Sequence, residues 1–201
     1  MGVFSIRSEY SKYGEYHSNK VNVAIHMIFV PTILWTSLAL FTAYFPGPLF
    51  TFPAPVVAVL QHVPGPMLSA NVATLTMAGY IVFYMILDQI AGLLIAPVIY
   101  LMLITSQQYV LSSPNAVSVS LFWFVFAWIA QFVGHGVFEK RAPALLDNLL
   151  QALVMAPFFV FLELLFALGY RPDLHREVRN EIGSRILAFR RKAKQATNVT
   201  Q

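Results

Sequence analysis

The chain contains no cysteine. That excludes disulfide bonds, thiolate metal sites and cysteine nucleophiles, and it leaves cysteine usage silent on redox compartment. Charge is also scarce: 11% of residues are charged, against roughly 25% in an average soluble domain. Between Lys20 and Lys140 there is no Lys or Arg at all, and Asp88 and Glu139 are the two acidic residues. No stretch interleaves aromatic and basic residues and no nucleic-acid motif occurs, so no nucleic-acid partner is expected. The first twenty residues, MGVFSIRSEYSKYGEYHSNK, lack the apolar core of a signal peptide and are expected to be retained. No internal repeat is visible.

What is abundant is apolar surface. Hydrophobic residues make up 58% of the 201, and the mean hydropathy is +0.65. An integral membrane protein of all-α class follows, with the lipid bilayer as its surroundings. The net charge of +4, clustered at the ends and at Lys140–Arg141, suits an anionic membrane surface. The expected organisation is one membrane domain over residues 1–172 and a basic cytosolic tail over 173–201. The expected architecture is a bundle of about four spans plus a proline-broken hairpin, with amphipathic helices at both ends.

The spans are read from length. Residues 21–45 are long enough to cross a hydrocarbon core, which takes about 20 residues, and Pro31 is expected to kink them. Residues 46–66 hold half of the twelve prolines and no charge, which predicts an irregular interfacial connection. As one helix, residues 71–104 would run to roughly 50 Å, so they are expected to break near Asp88, Gln89 and Gly92 into two short spans, with Asp88 stabilising the break. A polar loop is expected over 106–116 and a further span over 117–134. Residues 149–168 are apolar and interrupted by Pro157, where a hairpin is expected. The distribution of Lys and Arg places both termini and residues 135–148 on the cytosolic side. The sequon at Asn198–Thr200 offers a check on that orientation.

Polar residues then stand out against this background. Ser18, Asn22 and His26 recur every four residues at the entry of the first span. Gln131, His135 and Glu139 do the same at the exit of the fourth, so each set makes a stripe on one helix face. Under the expected topology both stripes reach the same membrane face. His17 and His26 are nine residues apart, about half a turn out of phase on a continuous helix, and meet only if the chain bends between them or if they face different sides of one site. Imidazole and carboxylate ligands with open positions are the donor set of non-haem iron oxygenases, and Zn(II) or Mn(II) share those ligands. Asn22, Gln131 and Asn148 are available to orient the imidazoles. The spacing leaves blander readings open: interfacial histidines that only hydrogen-bond, an interfacial charge cluster at Glu139 with Lys140 and Arg141, and tryptophans at 35, 123 and 128 that only pack. His62, in the proline-rich stretch, and His175, in the basic tail, are not expected to be ligands.

Two longer motifs carry a resemblance. YGEYHSNKVNVAIHMIFVP resembles the signature YxxYHxxxxNxxIHxxxVP of the membrane 2-hydroxy fatty acid dioxygenases. QFVGHGVFEKRAPALLDNLLQALVMAPFFVFLE resembles their second signature, QFxGHxxxEKRxPALxxNLxQAxxxAPxFVxLE. The likeness runs over roughly residues 10–172, and each motif position holds the expected residue. It implies an Fe(II)-dependent enzyme of the endoplasmic reticulum. Such an enzyme uses O2 to convert a long-chain 2-hydroxy fatty acid into the acid one carbon shorter, in phytosphingosine and sphingolipid breakdown. It further implies His17, His26 and His135 as iron ligands, with Glu139 as a fourth ligand or a base; Gln131 and Asn22 are expected, from position, to be orienting groups. From position, Lys20, Lys140 or Arg141 is expected to attract the substrate carboxylate. The competing expectations are a di-iron lipid hydroxylase, which generally needs more histidines than the five present, and a non-catalytic lipid carrier or scaffold.

Overall fold

A computed structural model describes residues 5–63, 69–141 and 151–199, and among these all regular structure is helical. The chain divides into two compact units, residues 28–131 and residues 1–27 together with 132–201.

The 28–131 unit holds most of the apolar helices: the greater part of α2 (Lys20–Tyr44), α3 (Ala54–Leu60), α4 (Val72–Leu87), α5 (Gln89–Ser112) and α6 (Ala116–Val133). Lys20–Tyr44, Gln89–Ser112 and Ala116–Glu139 are long and apolar enough to cross a membrane. The 16 residues of α4 reach roughly 24 Å at 1.5 Å per residue, a little short of a hydrocarbon core. Small and branched side chains fill the inside of this unit, among them Leu38, Ala39, Ala91, Ile99 and Leu103. Ile86, Phe122 and Ile129 face outward. An apolar exterior of this kind suits lipid rather than water.

The break expected near Asp88 is present and is one residue wide. Asp88 lies in an extended conformation between α4 and α5, and its carboxylate accepts from the Ala91 N–H at 3.0 Å. It therefore caps the helix that follows. At Gly92 an added Cβ would lie 2.6 Å from the Met85 backbone nitrogen, so the glycine permits the close approach of the two helices.

Three local expectations need correction. The proline-rich stretch contains a helix, α3, because its prolines stand before or within the first turn, where no backbone N–H is required. The polar residues after Thr105 do not begin a loop. Thr105 and Ser106 return their hydroxyls to the carbonyls of Leu101 and Leu103, which satisfies them inside the helix, and α5 continues to Ser112. The bent helix pair is present, but the bend is not at Pro157. Residues 153–167 and 172–191 meet at 118° across Leu168–Arg171, while Pro157 sits in the first turn of α7 (Ala156–Ala167). The turn is a Schellman closure. Gly169 adopts φ +88°, and the N–H groups of Tyr170 and Gly169 donate to Leu165 and Phe166.

The other unit contains α1 (Ile6–Gly14), the first turns of α2, a π-helical turn (Gly134–Glu139), a second π-helical turn (Gln151–Met155), α7, and α8 (Pro172–Val199). Tyr10 meets Phe159 and Phe166 edge-on at 5.4 and 5.2 Å. Burial pushes the Tyr10 hydroxyl well above its usual range, and the nearby Glu163 carboxylate adds to the shift. The basic tail is the helix α8 as far as Val199, and it packs along α1. Arg7 bridges Glu177 and Glu181 at 3.0 and 3.2 Å. The Ile182 side chain occupies the place where a Cβ on Gly14 would stand.

Candidate metal centre

Of the two arrangements open to His17 and His26, the structure shows a bend between them. α1 ends at Gly14, α2 begins at Lys20, and the five residues between them turn the chain. That turn brings the His17 ring centroid to 4.4 Å from that of His26, and His135 completes the group at 4.9 and 4.8 Å. The rings meet nearly edge-on, at 75–81°. One ligand nitrogen from each histidine lies within 4.8 Å of the other two. All three side chains are buried.

Backbone geometry sets two of the tautomers. His17 Nδ1–H donates to the Tyr13 carbonyl at 2.8 Å, and His26 Nδ1–H donates to the Asn22 carbonyl at 2.9 Å. A carbonyl only accepts, so Nδ1 carries the proton and Nε2 keeps its lone pair. This is the arrangement of a metal-ligating histidine, whose second nitrogen is held by a protein acceptor. His17 Nε2 and His135 Nδ1 are buried without a hydrogen-bond partner, which is costly unless something fills the coordination position. Burial holds the His17 imidazole well below its ordinary pKa, and a charge on His26 would lower it further. It therefore stays neutral, the form that binds metal. The donor set and its geometry fit a metal ion.

Glu139 occupies a different position. Its carboxylate accepts from the backbone N–H of Ser18 at 3.1 Å and of Asn19 at 2.9 Å. It also accepts from the Ser18 hydroxyl and, at 3.2 Å, from Asn22 Nδ2. These are the free N–H groups at the start of α2, where a negative charge is favourable. The first turn of α2 has no acidic residue of its own. The second donor of Asn22 goes to the Tyr16 carbonyl at 3.1 Å, so its amide ties the turn, α2 and Glu139 together. The π-helical turn carries both His135 and Glu139. Such turns occur often at functional sites, and no feature of the spacing announces this one.

Arg141, expected to attract substrate, is already engaged. It donates to the Glu15 carbonyl at 2.9 Å, pairs with the Glu15 carboxylate at 3.5 Å, and stacks 3.7 Å over Tyr16 and 4.3 Å from Phe189. Gln131 belongs to the 28–131 unit, and its Nε2 is buried without a partner. Asn148 lies outside the described residues. His62 and His175 are not part of the cluster.

Tyr13 and Gly134 are the contributors that the sequence reading missed. Tyr13 stacks on His17 at 3.9 Å and 16° as well as accepting its proton. The signal was its position four residues before His17, one helical turn back. A Cβ on Gly134 would come within 2.5 Å of Asn22 Oδ1. The signal there was a glycine immediately before a histidine.

Apolar helices of membrane-crossing length and three convergent imidazoles mark a membrane protein with a histidine cluster that could hold a metal ion. The chain belongs to the family described as 2-hydroxy-palmitic acid dioxygenase Mpo1-like, which matches residues 3–168. It is 36% identical over 181 residues to the 2-hydroxy-palmitic acid dioxygenase MPO1 of Saccharomyces cerevisiae, covering 90% of this chain and 91% of that one. No solved structure matches it.

Proposed function

We propose that the chain is an Fe(II)-dependent dioxygenase of long-chain 2-hydroxy fatty acids, with His17, His26 and His135 as the metal ligands. The observation that carries this reading is the convergence of three buried imidazoles whose outer nitrogens, where held, are held as in a metal site. The reaction balances without a further reductant. R–CH(OH)–COOH and O2 give R–COOH, CO2 and H2O, with the C1–C2 bond broken and four electrons passed to O2. Fe(II) would supply the one-electron chemistry that O2 requires, and the protein supplies the rest. The Tyr13 and Asn22 carbonyls orient two imidazoles. Glu139 is a positioning residue, holding the start of α2 against the π-helical turn, and Asn22 links the two. Gln131 is assigned an orienting role from its spacing to His135. Burial of the histidines keeps bulk water from the reacting atoms.

A non-catalytic scaffold or lipid carrier would use these polar groups as hydrogen bonds between helices. The unpartnered His17 Nε2 and His135 Nδ1 weigh against it. A di-iron hydroxylase is disfavoured by a cluster of three histidines.

The location that goes with this reading is the endoplasmic reticulum membrane, multi-pass, with both termini cytosolic, and the pathway is sphingolipid degradation. Support for the orientation comes from the confinement of Lys and Arg to the two ends and to Lys140–Arg141. Glycosylation at Asn198 in cells would reverse it.

The test is the reaction itself. Protein purified without oxygen and supplied with Fe(II) should convert 2-hydroxypalmitate and O2 into the C15 acid, and His26→Ala should not. No C15 acid from either protein removes the assignment.

A further inference from the structure

We propose that a cleft bounded by α1, the start of α2, α7 and α8 receives the carboxylate end of the acyl substrate, and that Arg179 and Lys20 bind that carboxylate beside His17. The proposal rests on the oxygenase reading above and identifies where its substrate is held.

The cleft has a volume of about 460 Å³, inside the roughly 300–1,000 Å³ of small-molecule sites. His17 forms part of its wall, so one residue faces both the cleft and the histidine cluster. Lys20, Arg179 and Glu163 give it charge, while Ile182 and Ile186 give it an apolar side. A fatty acid head needs this combination, a cationic seat for the carboxylate and apolar surface for the first methylenes.

The charges are available for that purpose. Arg7, Arg141 and Arg185 are all committed to carboxylates within the protein. Among the described residues neither Lys20 nor Arg179 has a carboxylate within ion-pair distance, and both are exposed. Glu163 lies near the Tyr10 hydroxyl, whose pKa its carboxylate helps to raise, so the cleft sets two unpaired cations against one anion. A guanidinium binds a carboxylate through two parallel N–H donors, which fixes orientation as well as charge. Held there, the substrate presents C1 and C2 toward His17.

The cleft also gives α8 a role. The family match ends at residue 168, and α8 begins at Pro172. The three histidines therefore come from the matched segment, while Arg179, Ile182 and Ile186 come from beyond it. The contacts of Arg7 with Glu177 and Glu181 hold this helix on α1, so Arg179 is carried on an anchored element. Substrate range is then set partly by α8.

A lipid phosphate offers the same anionic chemistry, and the experiment separates the two. Binding to the full-length, metal-free protein in detergent is measured for 2-hydroxypalmitate, its uncharged methyl ester and lysophosphatidate. The acid should bind at least about tenfold more tightly than the ester, as expected for a charge-assisted pair. Arg179→Ala should weaken the acid by about tenfold and leave the ester unchanged, and Arg179→Lys should recover part of the loss, since the charge remains without the fork. In the iron-loaded protein Arg179→Ala should raise KM for 2-hydroxypalmitate with little change in kcat. Acid affinity unchanged in both Arg179→Ala and Lys20→Ala overturns the proposal, and so does preference for lysophosphatidate. Acid bound through Arg179 but never shortened would leave the cleft standing and remove the oxygenase reading. Acid shortened with unchanged KM in both variants would do the reverse.

Discussion

Glu139 and Ser18 are 121 positions apart in the chain, and the carboxylate of the first accepts both the backbone N–H and the hydroxyl of the second. This contact joins the π-helical turn that carries His135 to the bend that carries His17. It is a cap supplied from a distant part of the chain. Its consequence is that one carboxylate ties together the segments that carry the three imidazoles, through Ser18, Asn19 and Asn22.

Glu139→Gln should therefore keep the fold and weaken the metal site. One acceptor oxygen becomes a donor facing the N–H groups of Ser18 and Asn19. Loss of such a supporting contact typically costs about 10–100-fold in metal affinity. Titration of the metal-free protein with Co(II), followed by its visible absorption, measures this. A visible spectrum unchanged from wild type would indicate that the ligand set survives while affinity falls.

Gly134→Ala should damage the site with no ligand removed. The new methyl would overlap Asn22 Oδ1, which is 2.5 Å from the position it needs, and overpacking of this kind costs about 1–3 kcal/mol. Gly136→Ala is the internal comparison, because nothing lies within 4 Å of its Cβ position. Thermal melting and metal content of the two variants should differ, with Gly136→Ala close to wild type.

Arg141→Lys should not be conservative. The guanidinium donates to the Glu15 carbonyl and lies over Tyr16 and close to Phe189, and an ammonium cannot reproduce that planar arrangement. A hydrogen bond to a charged group contributes about 1.5–3 kcal/mol, so a loss of roughly 2 kcal/mol is expected. Denaturant or thermal unfolding in detergent measures it, and Lys140→Ala should leave the midpoint nearly unchanged.

Gly169→Ala should lower stability by about 1 kcal/mol, the cost of placing a side chain in the left-handed region, because Gly169 has φ +88°. Its Cβ would meet nothing within 4 Å, so the cost is conformational. The metal affinity of this variant should equal that of wild type.

Much of this was legible in the chain because lipid simplifies the reading. A long apolar run with one Asp predicts two helices and a capped break, and Asp88 provides it. His26 and His135 stand out for a related reason, as ionisable groups in apolar runs, whereas His17 lies in a polar stretch beside Glu15 and is singled out by the motif. A bend between His17 and His26 was one of the two arrangements that helical period left open. What stayed hidden depends on phase and on distant contacts. A π-helical turn has no signature in the residues of GHGVFE. Nothing local says that Glu139 will meet Ser18 and Asn19 rather than solvent. The misplaced bend has a plain cause. Pro157 was read as a breaker, yet proline is well suited to the first turn of a helix, and the turn was made by Gly169 one helix later. The engagement of Arg141 by Glu15, Tyr16 and Phe189 was likewise invisible, because it joins three separate parts of the chain.

The most direct test of the three-histidine centre is the iron content of protein purified without oxygen from iron-replete cells. Wild type should hold one iron per chain, and His17→Ala, His26→Ala and His135→Ala should each lose it while eluting as folded protein. Full iron in any two of these variants, or none in folded wild type under the same conditions, would contradict the account.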